Sequence, residues 1–283
     1  MDEATRRLIF DAVVVRALAD VLALADSVGV TVVPVKGVVL ARWLYDDLAE
    51  RPYRDLDLLV ARADLPAMID AVTARGWPIR HRSLEMGELE FSIGRVTVEI
   101  HAEFSRRDFS RLSTDEVLAR AVPDRETFPF EILRIDDIDH FLLLIANVIR
   151  KAFVYANRHQ PADIDRLLAQ LEPRWPELVA RIETARFGNA VRVAATWMRE
   201  EHGSAALAQF ATRLPDRGRP LFAVAMRQYW RRAPRQSGQL ASASGLLGLA
   251  LAMLTPDDRL LQLRGLTRIV RRGALRRLGR DPG

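Results

Sequence analysis

Asp55 and Asp57 stand one residue apart in 51-RPYRDLDLLVAR-62, inside a run that otherwise reads as a buried strand. Successive side chains on a strand point to opposite faces, so the two carboxylates share one face while Leu56, Leu58 and Val60 fill the other. Two anions so placed repel, and the escapes are a shared proton, an arginine partner or a divalent cation. The stretch 95-RVTVEIH-101 repeats the design, with Val96, Val98 and Ile100 on one face and Thr97, Glu99 and His101 on the other. If the two strands are neighbours, Glu99 completes a triad of acids. Hard oxygen ligands with no sulfur and little histidine select Mg²⁺ or Mn²⁺. Upstream, 33-VPVKGVVLAR-42 places Gly37 where a strand gives way to a helix, a position where backbone N–H groups can meet a phosphate with no Cβ in the way. Lys36 adds a cation. Acids on neighbouring strands beside a phosphate-accepting turn are the layout needed to move a nucleotidyl or phosphoryl group.

The elements that must position these residues are legible around them. Residues 3–28 keep Leu8, Ala12, Val15, Leu18 and Leu22 at helical spacing, which predicts a long opening helix. A β-branched run, 30-VTVVPV-35, follows, and Pro34 within it suits an edge or a strand end. Helical character resumes over 36–48. After 55-DLDLLV-60, the stretch 63-ADLPAMIDAVTARG-76 carries helix start and stop signals. Two strands are predicted at 88–94 and 95–104, joined at Gly94-Arg95 as a hairpin. From residue 136 the pattern turns almost continuously helical, with Asp136 and Asp137 as caps for 138–156 and with prolines 161, 173, 215 and 234 as punctuation. The reading is an α+β fold with a mixed sheet: a small α/β core with its N-terminal helix over 1–135, then an all-helical region over 136–283. The segment 234–245 reads as a linker. The tail 259-RLLQLRGLTRIVRRGALRRLGR-280 reads as an arginine-rich amphipathic helix, either a solvated packing face or a weak contact with nucleic acid or an anionic membrane.

Taken together, Lys36-Gly37, 51-RPYRDLDLLV-60 and 98-VEIH-101 resemble the DNA polymerase β-like nucleotidyltransferase superfamily, in which a glycine-containing strand-to-helix turn precedes Asp-hydrophobic-Asp on one strand and a third acid on another. More closely, they are similar to a bacterial group of uncharacterised nucleotidyltransferases. That group carries a Lys-Gly turn, an arginine ahead of an Asp-Ile-Asp-Leu-Leu-Val-like strand, a later Asp-Leu-His-like strand and a helical C-terminal half. The resemblance spans residues 30 to 170 and includes 163-DIDRLL-168. It implies a polymerase β-like core, catalytic and metal-ligating roles for Asp55, Asp57 and Glu99, and an NTP substrate, ATP first. The phosphates would lie near Lys36, Gly37 and Arg51. Arg51 and Arg54 either bind the triphosphate or neutralise the nearby acids, and His101 either orients substrate or is structural. The acceptor, a small molecule, peptide, protein side chain or RNA end, would occupy a cleft between core and helical half. Lys151, Asp163 and Asp165 either line that cleft or form a solvated face with an N-cap at Asp163. The turn departs from the superfamily's usual Gly-Gly or Gly-Ser: Val38 follows Gly37, so no hydroxyl is offered there. The third acid is Glu99, where the closer group more often shows aspartate.

Composition removes other classes. The 283 residues are 49% hydrophobic, ample for a sizeable core, and 28% charged, near the average for soluble proteins. The net charge of +5 comes mainly from arginine, since Lys36 and Lys151 are the only lysines; with so much Ala, Leu and Val this reflects a GC-rich coding sequence and is a weak partner signal. There is no cysteine, which excludes disulfides, thiolate metal sites and a cysteine nucleophile. No signal-peptide layout and no membrane-length apolar run is present, so a cytoplasmic protein without a transmembrane segment is expected. Neither GxGxxG, GxxxxGK[ST] nor a nucleophile elbow occurs. Two other readings remain open: a catalytically silent nucleotide-binding or partner-binding module, and an RNA-modifying nucleotidyltransferase anchored by the tail.

Overall fold

The computed structural model describes residues 2–104, 110–150 and 159–215. Contacts group the chain into two compact units, Met1–Phe104 with Leu112–His140, and Ser105–Arg111 with Phe141–Gly283. The linker at 234–245 and the arginine-rich tail at 259–280 lie outside the described residues. No helix among the described residues is long and apolar enough to cross a membrane.

The first unit is organised around one mixed sheet. Helix α1 (Glu3–Ser27) is capped by Asp2, whose carboxylate accepts the Thr5 N–H at 2.7 Å. Then come β1 (Val32–Val35), α2 (Gly37–Trp43), β2 (Asp55–Val60), α3 (Leu65–Ala74), β3 (Ile79–Ser83), β4 (Glu88–Ile93) and β5 (Val96–His101). The strand order is β1-β2-β5-β4-β3. Strand β1 is antiparallel to β2, β2 is parallel to β5, and β4 is antiparallel to both β5 and β3. A parallel pair needs a long crossover, and α3 with β3 and β4 supplies it. Pro34, which cannot donate a ladder hydrogen bond, sits on the edge strand β1 opposite Leu58. The opposite edge, β3, exposes Arg80, His81 and Arg82.

Alternation along β2, β5 and β4 sends Leu56, Leu58, Val60, Val96, Val98, Ile100, Leu89 and Phe91 into one core. Val14, Leu18 and Val21 of α1 and Leu65, Met68 and Val72 of α3 close over the same core. Each such fully buried Leu or Val stabilises the fold by roughly 1.5–3 kcal/mol relative to exposure. The opposite face of β2 and β5 is therefore the one that carries acids. The β4–β5 hairpin turns at Gly94-Arg95, with Ile93 paired to Val96 and Gly94 at φ 57° in the first central position, where a type II′ turn needs glycine. Strand β3 was not read from the sequence, because 79-IRHRS-83 shows neither alternation nor an apolar run.

The unit ends with α4 (Thr114–Leu118), a small hairpin of β6 (Val122–Asp124) and β7 (Ile132–Arg134), and the start of α5 (Asp137–Arg150). Asp136 caps α5 by accepting the Ile138 N–H at 3.0 Å. Asp139, fully buried, takes two hydrogen bonds from the Arg120 guanidinium at 2.8 and 3.1 Å, which fixes the first turn of α5. The division between units falls within α5. The second unit is helical among the described residues: α6 (Gln160–Gln170), a single 3₁₀ turn, α7 (Trp175–Thr184), α8 (Gly188–His202) and α9 (Ala206–Ala211). Phe210 joins its core through edge-on contacts with Phe141 and Trp175.

Candidate metal centre and nucleotide site

The parallel register of β2 against β5 sets Asp57 opposite Glu99, Asp55 opposite Thr97 and Leu59 opposite His101. Glu99 and His101 are two residues apart on β5, so they share the face of Asp57. Ligand atoms of Asp57, Glu99 and His101 all lie within 4.8 Å of one another. His101 Nε2 is 3.2 Å from Asp57 Oδ1 and 3.5 Å from Glu99 Oε2. Asp55 lies on the same face one pair earlier, beside Thr97, and is not part of this cluster. Burial alone would raise the pKa of Asp57. The Lys36 charge and the His101 hydrogen bond outweigh it, and the carboxyl is held well below the usual carboxylate range. Glu99 is also lowered, chiefly by its hydrogen bond from His101. Both carboxylates are thus ionised throughout the neutral range. Two ionised carboxylates and an imidazole nitrogen at this spacing can hold a divalent cation.

Lys36 occupies the turn between β1 and α2 in an uncommon backbone conformation, φ 56° and ψ −125°, which non-glycine residues rarely adopt. Its Nζ lies 2.6 Å from Asp57 Oδ1, with both side chains almost fully buried. The Lys36 N–H is donated to His140 Nε2 at 3.2 Å. His140 is fully buried on α5 and packs beside the Trp43 ring. Burial, with Arg134 and Lys36 nearby, pushes its pKa down to about 3, so the ring is neutral. Because Nε2 accepts from Lys36, the ring proton belongs on Nδ1, a buried atom with no hydrogen-bond partner. Sequence reasoning missed His140; the available signal was a lone histidine at the head of the apolar run 141-FLLLIANVI-149.

Packing places its own demand on Gly37. Its backbone angle is ordinary, and the demand is for space: a Cβ there would sit 3.0 Å from Tyr53 Cβ. Tyr53 cannot retreat, because its hydroxyl donates to Asp11, which is itself held by Arg42. Gly37→Ala is therefore expected to cost about 1–3 kcal/mol, read as a lowered urea midpoint with an unchanged m-value. Arg51 is buried and donates to the Pro52 carbonyl at 3.0 Å. Arg54 is exposed and lines a cavity of about 330 Å³ with Arg6, Arg7, Phe10 and Tyr53, not the acid cluster. Asp163 is fully buried in the first turn of α6, whose N-cap is His159, and Asp165 accepts a hydrogen bond from the Ser204 hydroxyl at 2.8 Å. Lys151 lies outside the described residues.

Among solved structures, the chain is similar to a tRNA nucleotidyltransferase crystallised with a primer tRNA and an incoming ATP analogue, at 14% identity and a TM-score of 0.27, over 90% of this chain and 99% of that one. It is also similar to the structure of a tRNA-processing enzyme complex, at 14% identity and a TM-score of 0.27, over 87% of this chain and 89% of that one. Similarity of that extent carries no inference about activity. No curated protein matches the chain. The model of a family described as uncharacterised nucleotidyltransferase matches residues 4–201, a span that takes in the Lys36-Gly37 turn, both acid-bearing strands and His140, and the chain belongs to that family.

Proposed function

We propose that this nucleotidyltransferase is metal-dependent and moves an NMP from an NTP, ATP first, to the hydroxyl or amine of an acceptor with release of pyrophosphate. The observation that carries the reading is the convergence of Asp57, Glu99 and His101 on adjacent parallel strands beside the Lys36-Gly37 turn. Asp57, Glu99 and His101 would hold Mg²⁺ or Mn²⁺, with Asp55 next on the same face as a further ligand. A bound cation would supply charge neutralisation at the phosphates and orientation of the reacting oxygens. Glu99, ionised at neutral pH and more open to solvent than Asp57, takes the proton from the acceptor as its oxygen or nitrogen bonds to the α-phosphorus. The bond from that phosphorus to the bridging oxygen breaks, and pyrophosphate carries the electron pair away. Lys36 and Arg51 supply positive charge for the triphosphate, with Arg54 further out. Acceptor recognition falls to residues 136–283.

The test is transfer of label from α-³²P NTPs to a fractionated cell extract. Label should appear with Mg²⁺ or Mn²⁺ and fall to background with a chelator, and transfer unaffected by the chelator would remove metal dependence.

One observation favours a second reading, a catalytically silent nucleotide-binding module: the Lys36 ammonium sits on Asp57 Oδ1. Calorimetry separates the two, since a silent module binds ATP equally with and without Mg²⁺ and turns nothing over. An RNA acceptor anchored by 259–280 predicts affinity that weakens steeply with salt and is lost on deleting the residues after 258.

A further inference from the structure

Three observations meet at Lys36. Its backbone is held at φ 56° and ψ −125°, a positive-φ conformation that costs free energy for any side chain with a Cβ, and such strain persists only where the surroundings impose it. Its N–H is tied to the buried His140, which leaves the turn little freedom. Its ammonium reaches Asp57 Oδ1 at 2.6 Å, the oxygen that His101 Nε2 also contacts at 3.2 Å. Simple packing does not explain the arrangement. A lysine at a strand-to-helix turn would ordinarily extend into water, where its charge is best solvated. Here it is nearly buried on the carboxylate at the centre of the acid cluster.

The electrostatic consequence follows from counting charges. Asp57 and Glu99 would present two negative charges to a divalent cation, but with the Lys36 ammonium in place the cluster presents one. The ammonium also covers the Oδ1 lone pairs that a cation would use. An NTP brings its own polyanion, against which a lysine ammonium is at least as well paired as against one carboxylate.

We propose that Lys36 is an internal counter-ion that keeps the acid cluster closed to metal until a triphosphate draws the ammonium off Asp57, so that metal loading is coupled to nucleotide binding. This rests on the metal-dependent reading above and adds an order of events to it. His140 is a positioning residue in this scheme: by holding the Lys36 N–H it sets the direction in which the side chain leaves the turn.

The experiment measures Mn²⁺ binding by electron paramagnetic resonance, with and without α,β-methylene-ATP, for the full chain and its variants. In the unsubstituted protein Mn²⁺ should bind weakly alone and much more tightly with the nucleotide. Lys36→Met should tighten nucleotide-free Mn²⁺ binding at least about tenfold, as expected from removing a unit charge a few ångströms from the site. It should also shrink the gain from nucleotide by a similar factor. Lys36→Gly guards against misfolding, since glycine takes φ 56° without strain and removes the same charge. Lys36→Arg, which keeps the charge, should restore the weak nucleotide-free binding. If Asp57→Asn abolishes Mn²⁺ binding while Lys36→Met and Lys36→Gly leave it unchanged or weaker, the counter-ion role is overturned and the metal reading stands. Mn²⁺ binding that is absent throughout, or indifferent to Asp57→Asn, overturns both.

Discussion

Asp57→Asn is expected to lower nucleotidyl transfer by about 10³-fold or more while the protein stays folded, measured as label transfer at saturating NTP and Mg²⁺ beside a circular-dichroism melt. The size follows from what the carboxylate does. It is the most buried member of the cluster and touches both Lys36 and His101, so its loss removes the central anion of the site. Asparagine keeps the shape and one acceptor oxygen. Alanine would leave the buried Lys36 ammonium unpaired, and breaking one side of such a pair costs about 3–5 kcal/mol. Comparing the two variants separates chemistry from folding: both should lose activity, while Asp57→Asn, which keeps an oxygen for the Lys36 ammonium, should melt closer to the unsubstituted protein than Asp57→Ala. Transfer by Asp57→Asn within tenfold of the unsubstituted protein would remove Asp57 from the reaction.

The second large effect is on stability against acid. His140 is neutral in the folded protein down to about pH 3 but takes a proton near pH 6.5 once unfolded. Between those values the unfolded chain binds the extra proton, so stability is complete above pH 6.5 and falls as the pH drops toward 3. The slope approaches about 1.4 kcal/mol per pH unit, so a fall from pH 6.5 to 4.5 should remove roughly 2 kcal/mol through this residue. Asp57 and Glu99, whose pKa values are lowered, act in the same direction below the ordinary carboxylate range, whereas Asp165, raised by burial, acts in the opposite direction. His202 is lowered too, but the residue is exposed. His140→Gln retains an oxygen to accept the Lys36 N–H and cannot titrate. Urea denaturation at pH 7, 6, 5 and 4.5 should show a declining midpoint for the unsubstituted protein and a flatter profile for His140→Gln. Parallel profiles would contradict the assignment.

Strand β2 and its two faces were legible because a period of two is local: Asp55 and Asp57 alternate with Leu56, Leu58 and Val60 whatever the rest of the chain does. The same held for β5, for the Gly94-Arg95 hairpin, and for Pro34 on an edge strand. The adjacency of β2 and β5, a condition in the sequence reading, is present as a parallel pair. The register was not readable. It sets Glu99 opposite Asp57, so the cluster moves one pair along the strands from Asp55 and takes in His101. Lys36 is legible as a cation beside the turn, but its contact with Asp57, 21 positions away, is not. His140 lies 104 positions from the turn it braces, and no local pattern reports a contact at that distance. Gly37 was recognisable as a special position, but the crowding by Tyr53 that demands it depends on tertiary packing.

The outermost strand β3 carries Arg80, His81 and Arg82 in consecutive exposed positions, with Arg80 and His81 near Glu90 and Glu88 of its inner neighbour. A strand from another molecule that added itself to this border would have to desolvate two guanidinium groups along its length. The sheet is therefore sealed against growth on that flank by charge, as Pro34 interrupts the ladder on the other, and fibril-like stacking of copies through β3 is disfavoured from the outset.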